Sequence, residues 1–285
     1  MNAMKKFAYI FDSTIRIDQA DIDAYNIFIQ PLYVIIDGKP YRDTIDITAE
    51  DFYQKLKDGA EPTTSQPSAG DFVETYEKIK AQGYTDVLVF TISAKLSGTA
   101  QAAKSAESLT DGLTVHIFDT GTTSYLAGLC AFDVVKFAET TDDLDAIHAF
   151  ADDIFGRIDI RFYVDSLEAL KRGGRISSFQ AAIGSLLQIK PMIRLVDGEL
   201  DNYSKERTSK KAVKAVMEDM RSVGPFEKVI LLHSTDPGII EALTTAFEAA
   251  YPGVEYQLAP LCTVIGVHTG PYVGALAVVT KDKHE

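Results

Sequence analysis

A chain of 285 residues is longer than one compact core usually serves, so its length predicts one large or two medium-sized α/β domains, and we favour two. Hydrophobic residues make up 46% of the chain and charged residues 24%, a globular composition that excludes a disordered or fibrous protein. The formal net charge of −13 argues against nucleic acid as a partner and against adsorption to anionic lipid surfaces, because clustered Lys and Arg drive both.

No run of the sequence is apolar over the roughly 20 residues that cross a bilayer, so no transmembrane segment and no signal peptide are predicted. Cys130 and Cys262 lie far apart and outside any CxxC or Cys/His cluster, so neither a disulfide framework nor a zinc site is indicated. The histidines have no metal-ligand spacing. These observations favour a reducing compartment, and we predict a cytoplasmic protein without a metal site.

The first half of the chain alternates strand-like and helix-like patterns. The predicted strands are FAYIFDS, IFIQPLYVII, TDVLVFTIS and LTVHIFDT, and the predicted helices are ITAEDFYQKLKDG, SAGDFVETYEKIKAQG and SGTAQAAKSAESL. Strands such as 87–92 are continuous apolar runs, as expected where helices cover both faces of a parallel sheet. Thr48 followed by Asp51 predicts a helix N-terminus, and Gly59 and Gly83 predict helix ends. We therefore predict an α/β fold that begins with a parallel-sheet, Rossmann-like domain over residues 4–160.

A helical stretch over about 124–155 leads into the second half of the chain, where the pattern changes. It contains a short helix SLEALKRGG, an apolar helix ISSFQAAIGSLLQIK, a hairpin through Asp197-Gly198, and then a helix, a strand, a helix and two strands. We predict a C-terminal α/β domain with a mixed sheet over residues 161–285.

Four polar segments follow predicted strands, where open α/β sheets bind their ligands. They are Asp12-Ser13-Thr14, PTTSQPS at 62–68, ISAKLSGT at 92–99 and VIGVHTGP at 264–271. Ser97 is predicted to cap the following helix, and Gly98 permits close approach to free amide N–H groups that stabilise an anion. His268, between a strand and a Gly-Pro turn, has an imidazole that can donate to an oxyanion. Taken alone, each segment is better explained as an ordinary turn, cap or half-buried histidine.

Taken together, these segments supply hydroxyls, amide N–H groups and one imidazole without a carboxylate base. That donor set is typical of a bound carboxylate, because a buried charge requires several donors. GxSxG, GxGxxG and GxxxxGK[ST] motifs are absent from the sequence. Thr14 stands where an aspartyl phosphatase needs a second aspartate. Two alternatives stay open: a free-standing hydrolase or acyltransferase that uses Ser97 with His268, and a binding protein for another small anionic ligand.

Six short motifs span nearly the whole chain in the order FDST, TTSQPS, LSGT, LKRGGRIS, LLQIKP and HTGP. In this set the sequence resembles the DegV family of bacterial fatty-acid-binding proteins. The resemblance implies two α/β domains with a long-chain fatty acid, palmitate- or stearate-like, at their interface, and no cofactor. It also implies a non-catalytic lipid-binding subunit of fatty acid kinase, which needs a separate ATP-binding kinase subunit as its partner.

The resemblance also assigns residues to the fatty acid carboxylate. Thr64 of TTSQPS, Ser97 of LSGT and His268 of HTGP correspond to the carboxylate contacts, with Ser65 and Gly98 as supporting residues.

Two further groups of residues are candidates for the acyl tail and for the kinase partner. Arg175 and Arg207 lie in the basic clusters KRGGRIS and SKERTSKK, which are either solvated charge runs or a surface that faces the partner or a phosphate. Four apolar residues at helical spacing are nominated as tunnel lining, although plain core packing explains them equally well: Phe179, Ile183, Leu186 and Leu187.

Overall fold

The computed structural model describes residues 7–175 and 189–282. Contacts among its residues divide the chain into two compact units. The first comprises the chain up to Tyr33 together with Ser65–Gly156, and the second comprises Val34–Thr64 together with the chain from Arg157 onward. The division is thus discontinuous along the sequence, and Val34–Thr64, which sequence patterns place within 4–160, belongs to the second unit.

The first unit is built on a parallel sheet covered by helices, with elements numbered in chain order. Its strands, in the spatial order β2-β1-β6-β7, are β1 (Ala8–Asp12), β2 (Ile27–Gln30), β6 (Asp86–Thr91) and β7 (Thr114–Asp119). Its helices are α1 (Gln19–Ala24), α3 (Ala69–Ala81), α4 (Thr99–Glu107), α5 (Ser124–Ala138) and α6 (Leu144–Phe155). Ile10 and Val89 of the sheet pack with Phe72 and Tyr76 of α3 in the core. The predicted parallel-sheet domain is confirmed.

The second unit is built on a mixed six-stranded sheet, in the order β10-β9-β8-β13-β11-β12. These strands are β8 (Ile158–Val164), β9 (Lys190–Val196), β10 (Glu199–Glu206), β11 (Phe226–His233), β12 (Gln257–Pro260) and β13 (Val273–Thr280). The β11–β12 pairing is parallel, and the other pairings in this sheet are antiparallel. The hairpin through Asp197 and Gly198 joins β9 to β10, with φ angles of 50° and 79° that suit a tight turn. The predicted mixed sheet is confirmed.

A smaller three-stranded sheet, in the order β4-β3-β5, and the remaining helices complete this description. The strands are β3 (Tyr33–Ile36), β4 (Lys39–Arg42) and β5 (Thr63–Ser65). The helices are α2 (Ala49–Lys57), α7 (Glu168–Arg172), α8 (Ser209–Asp219), α9 (Pro237–Ala250) and α10 (Thr263–Thr269), with a 3₁₀ turn at Met220–Val223. No helix in the described ranges is both long and apolar enough to cross a membrane.

Two predicted elements are each divided in the structure. The predicted strand IFIQPLYVII is two strands, β2 and β3, because Pro31 between them has no N–H to continue a ladder. The stretch 124–155 forms α5 and α6, because Asp143 accepts hydrogen bonds from the Asp145 and Ala146 amides and so caps a new helix. The first of these divisions marks where the chain leaves the first unit.

The predicted helix signals act as expected. Thr48 Oγ1 accepts from the Asp51 amide at 3.1 Å, and Ser68 forms a reciprocal capping box with Asp71. Gly59 and Gly83, with φ angles of 95° and 88°, follow the ends of α2 and α3 in the conformation that glycine adopts without strain.

Helices α2 and α10 approach each other closely within the second unit. A Cβ on Gly266 of α10 would lie 2.6 Å from Phe52 Cε1 and 2.8 Å from Tyr53 Oη of α2. Phe52 and Tyr53 are fully buried, so the glycine is required by the spacing of the two helices. This packing fixes the segment that carries His268.

Candidate functional site

Thr64 lies in a short extended segment bounded by prolines. Pro62 and Pro67 flank β5, and their fixed φ angles and missing N–H groups keep this segment out of helix. Thr64 is half-buried, whereas its neighbours Thr63 and Ser65 are exposed. Alternation along the strand therefore turns the Thr64 side chain inward and leaves Ser65 outside.

His268 meets Thr64 within the second unit. Thr64 Oγ1 and His268 Nε2 are 3.0 Å apart, although 204 positions separate the residues in the sequence. His268 stands in the last turn of α10, so the expectation that it follows a strand is wrong. A short apolar run with β-branched residues fits strand and helix alike, and the packing of α10 on α2 decides for helix.

The imidazole of His268 is neutral at physiological pH. Burial, with a smaller contribution from the positive charge of Arg175, lowers the pKa of His268 to about 4. Its Nδ1 atom is buried without a hydrogen-bond partner among the described residues. The ring therefore engages Thr64 through one nitrogen and has a second nitrogen that the described residues do not satisfy.

The LKRGGRIS motif also contacts the His268 ring. Helix α7 ends at Arg172, and Gly173 follows as its C-cap. A Cβ built on Gly173 would lie 2.0 Å from His268 Nδ1, so the ring sits directly against the bare glycine. Sequence reasoning did not select Gly173, although the paired glycines after a short helix were visible.

Of the two arginine candidates, Arg175 lies near His268. Its amide donates to Leu170 O at 3.1 Å, and its Nη1 donates to Gly173 O at 2.6 Å, which holds the turn closed. Arg207 is exposed between β10 and α8. The structure therefore associates Arg175 with the His268 environment and places Arg207 on the surface of the second unit.

Ser97 belongs to the first unit and lies before α4. The expectation that Ser97 caps this helix is wrong, because the N-cap is Gly98, which provides no side-chain hydrogen bond. Ser97 Oγ instead lies 2.9 Å from Thr99 Oγ1, while the Ser97 amide donates to Ser93 O at 3.1 Å. Ser97 is half-buried, and its hydroxyl does not cap a helix.

Gly98 makes a second close approach in the first unit. Its hypothetical Cβ would lie 2.3 Å from Gln66 Oε1, so the Gln66 amide covers this glycine at the start of α4. The loop before it is tied down by Asp119, whose carboxylate accepts from the Ala94 amide at 3.2 Å and the Gly121 amide at 2.9 Å. Gln66 was present in the TTSQPS motif but was not selected as a site residue.

Both carboxylate oxygens of Asp12 accept hydrogen bonds, from residues that follow strands β1 and β6. Its Oδ1 accepts from the Thr14 amide at 2.8 Å and from Thr14 Oγ1 at 2.6 Å, and its Oδ2 accepts from the Ile92 amide at 2.6 Å. Asp12 is 1% exposed. These bonds give Asp12 a structural role.

Replacing Asp12 with Asn is therefore expected to lower the free energy of unfolding by about 2 kcal/mol, because the N–H₂ that replaces one carboxylate oxygen cannot accept a hydrogen bond. Urea denaturation followed by circular dichroism measures the loss. The exposed Asp111 provides the control, since Asp111→Asn should leave the midpoint unchanged. Equal midpoints for the two variants would contradict the structural role of Asp12.

A surface groove in the second unit has a volume of about 560 Å³ and is lined by α8 and α9, with Val213, Met217, Ala246 and Lys210 among the lining residues. None of the predicted site residues that the structure describes lines it.

Within the second unit His268 Nε2 pairs with Thr64 Oγ1, and within the first unit Ser97 Oγ pairs with Thr99 Oγ1. Across residues 7–175 and 189–282, no group of three or more His, Cys, Asp or Glu side chains is arranged to hold a metal ion.

Comparison with known proteins gives consistent matches along the whole chain. The profile of a family described as "Uncharacterised protein, DegV family" matches residues 6–281. A DegV domain-containing protein of Listeria innocua is 38% identical over 279 residues, covering 96% of this chain and 98% of the relative. The chain belongs to the DegV family.

Solved DegV structures agree in fold. A Thermus thermophilus protein described as "Fatty Acid Binding of a DegV family Protein" has a TM-score of 0.84 and 32% identity, covering 96% of this chain and 99% of that one. A stearic acid-binding protein from Eubacterium ventriosum has a TM-score of 0.87 and 26% identity, covering 96% and 98%. The resemblance inferred from the six motifs is confirmed.

The DegV motifs are only partly brought together by the described contacts. TTSQPS, HTGP and LKRGGRIS meet around His268 in the second unit, through Thr64 and Gly173. Ser97 and Gly98 of LSGT lie in the first unit. The four tunnel candidates, Phe179, Ile183, Leu186 and Leu187, lie outside the described residues.

Proposed function

We propose that this protein binds a long-chain fatty acid of the palmitate or stearate type, with the carboxylate held by Thr64, Ser97 and His268. Support comes from solved DegV relatives that are described as fatty-acid-binding, including proteins from Thermus thermophilus and Eubacterium ventriosum. Ser65 is exposed, and its side chain donates to Gln66 O at 3.1 Å, so we place it outside the set of direct contacts.

The observation that carries the proposal is the pairing of Thr64 with a neutral His268. If Nδ1 carried the proton, a buried N–H would be left without a partner among the described residues, which is costly. The Nε2–H form instead donates to Thr64 Oγ1 and leaves the threonine hydroxyl proton free to donate to a carboxylate oxygen. His268 then acts behind Thr64, fixing the direction in which the threonine hydroxyl points.

Hydroxyl donors of this kind orient a carboxylate, and the acyl tail supplies the affinity. At about 0.8 kcal/mol per buried methylene, a chain of sixteen to eighteen carbons offers roughly 10 kcal/mol before ordering costs are subtracted. Gly98, beside Ser97, lets the first amides of α4 approach the same charged group.

We further propose that the protein is a non-catalytic subunit that presents the bound acid to a separate ATP-binding kinase for acyl-phosphate formation. The sequence contains no GxxxxGK[ST] loop that would hold ATP phosphates. Arg175 and Arg207 are assigned to the partner or to the transferred phosphate, because guanidinium groups match phosphoryl oxygens in geometry and charge.

Native mass spectrometry of the purified protein tests the ligand directly. We expect a fatty acid to co-purify and to be released under denaturing conditions. Protein that carries no lipid as purified, and that fails to bind palmitate after delipidation, would contradict the proposal. Binding of inorganic phosphate or of a short carboxylate in place of palmitate would favour the small-anion alternative.

Ser97→Ala tests the carboxylate contact in the first unit. Removing one donor to a charged group is expected to cost about 1.5–3 kcal/mol, or roughly a 10- to 100-fold loss of palmitate affinity. Ser105→Ala, an exposed serine of α4, is the matched control and should bind normally. Unchanged affinity in the folded Ser97→Ala variant would remove Ser97 from the site.

A further inference from the structure

The two glycines of the LKRGGRIS motif have different structural requirements. Gly174 has a φ angle of 71° and nothing within 4 Å of a hypothetical Cβ, so its backbone conformation is what favours glycine. Gly173 has φ and ψ angles of −75° and −4°, which any residue adopts. Glycine at position 173 is therefore not explained by the turn.

Position 173 requires glycine because the His268 ring leaves no space for a side chain there. A Cβ there would lie 2.0 Å from His268 Nδ1, 2.7 Å from Cε1 and 3.2 Å from Cγ, so a methyl group and the ring cannot occupy their present positions together. Two hydrogen bonds leave the turn little freedom to move away from the His268 ring. The Gly173 amide donates to Ala169 O at 2.9 Å, and Gly173 O accepts from Arg175 Nη1 at 2.6 Å.

The ring is equally constrained on its other side. His268 Nε2 is 3.0 Å from Thr64 Oγ1, and α10 is held by the close contact of Gly266 with Phe52 and Tyr53. A methyl group on residue 173 would therefore force the imidazole out of its present position and break its contact with Thr64.

We propose that Gly173 is a positioning residue of the carboxylate site, and that its missing Cβ is what allows His268 to reach Thr64. This inference rests on the proposed function for its effect on lipid binding, but the packing itself can be measured without lipid. The turn of α7, the His268 ring and the Thr64 hydroxyl then depend on one another for their positions.

A double-mutant cycle in the full-length, delipidated protein tests whether Gly173 acts on palmitate binding through the His268 ring. Gly173→Ala, His268→Ala and the double variant are compared for equilibrium binding of palmitate. We expect Gly173→Ala and His268→Ala each to lose about 10-fold or more in affinity, and the double variant to match His268→Ala, because the methyl group does no harm once the ring is gone. Gly70→Ala, at an exposed position of α3 where a Cβ would make only an ordinary contact, is the control and should bind within about twofold of wild type.

The chemical shift of the His268 Cε1 proton, followed by NMR from pH 8 to 5.5, provides a readout that needs no ligand. In the wild type, with a pKa of about 4, the signal should not titrate in this range. In Gly173→Ala the displaced ring should titrate, with its pKa moving toward the ordinary value of about 6.5. Among the described residues, the charged group that acts on this ring is Arg175, which is present in both proteins.

The outcomes separate the two proposals. A Gly173→Ala variant with wild-type affinity and an unmoved His268 signal overturns the role of Gly173. If His268→Ala binds palmitate like the wild type, the proposed carboxylate site fails, while the NMR titration still decides whether Gly173 seats the ring. If Gly173→Ala does not fold, the double variant should fold, and a double variant that also fails to fold overturns the inference.

Discussion

Thr64→Val is expected to reduce palmitate affinity about 10- to 100-fold. Valine keeps the branched shape of threonine but removes the hydroxyl that we propose donates to the carboxylate, a loss of about 1.5–3 kcal/mol for a charged acceptor. His268 Nε2, now 3.0 Å from Thr64 Oγ1, would also lose its partner. Titration of delipidated protein with palmitate, followed by calorimetry or by a displaced fluorescent fatty acid, measures the change.

The same strand supplies the control for this experiment. Thr63 is exposed beside the half-buried Thr64, so Thr63→Val makes the same chemical change on the outer face of β5 and should bind palmitate normally. The thermal midpoints of both variants should stay close to that of the wild type. Equal palmitate affinities for the two variants would exclude Thr64 from the carboxylate site.

Arg175→Ala and Arg207→Ala are expected to lower kinase-dependent acyl-phosphate formation by about tenfold or more each, since charge-assisted contacts of arginine to phosphate are worth about 1.5–3 kcal/mol. Palmitate affinity should change by less than about twofold in Arg207→Ala, whereas Arg175→Ala also removes the bond from Nη1 to Gly173 O, so its palmitate affinity is measured alongside to separate the two effects. Binding is best compared at pH 8, because His268, with a pKa of about 4, is neutral there whether or not Arg175 is present.

A third arginine of the second unit tests whether any loss of charge has the same effect. Arg221 is exposed, and its Nη2 is 3.4 Å from Ala250 O, near the surface groove and outside the described surroundings of His268. Arg221→Ala should support acyl-phosphate formation at the wild-type rate. Normal phosphorylation by both Arg175→Ala and Arg207→Ala, or ATP consumption by the wild-type protein alone, would contradict the division between lipid carrier and kinase.

Local chemistry accounts for the elements that sequence reasoning predicted correctly. The cap at Thr48, the glycines at 59 and 83 and the Asp197-Gly198 hairpin each depend on contacts within a few residues. The continuous apolar strands of the first unit likewise reflect burial on both faces of a parallel sheet. Such features are readable because the residues that decide them are neighbours in the chain.

Tertiary contacts decide what could not be read from the sequence. His268 lies in a helix because α10 packs on α2, which is far away in the sequence. The sequence pattern around Gly266, at their contact, does not reveal which helix it packs against. The significance of Gly173 likewise depends on a ring 95 positions away. Six motifs in order predicted the family, yet only the fold shows that three of them meet at one imidazole.

The discontinuous second unit has a consequence for synthesis on the ribosome. Val34–Thr64 emerges early, but α10, which covers Phe52 and Tyr53 of α2, is made some two hundred residues later. At about 5–20 residues per second, this delay is on the order of 10–40 s. The nascent first unit is complete in sequence at Gly156, before α10 has been made to pack on Phe52 and Tyr53 of α2. A chaperone that captures nascent chains is thus expected to meet this protein at α2.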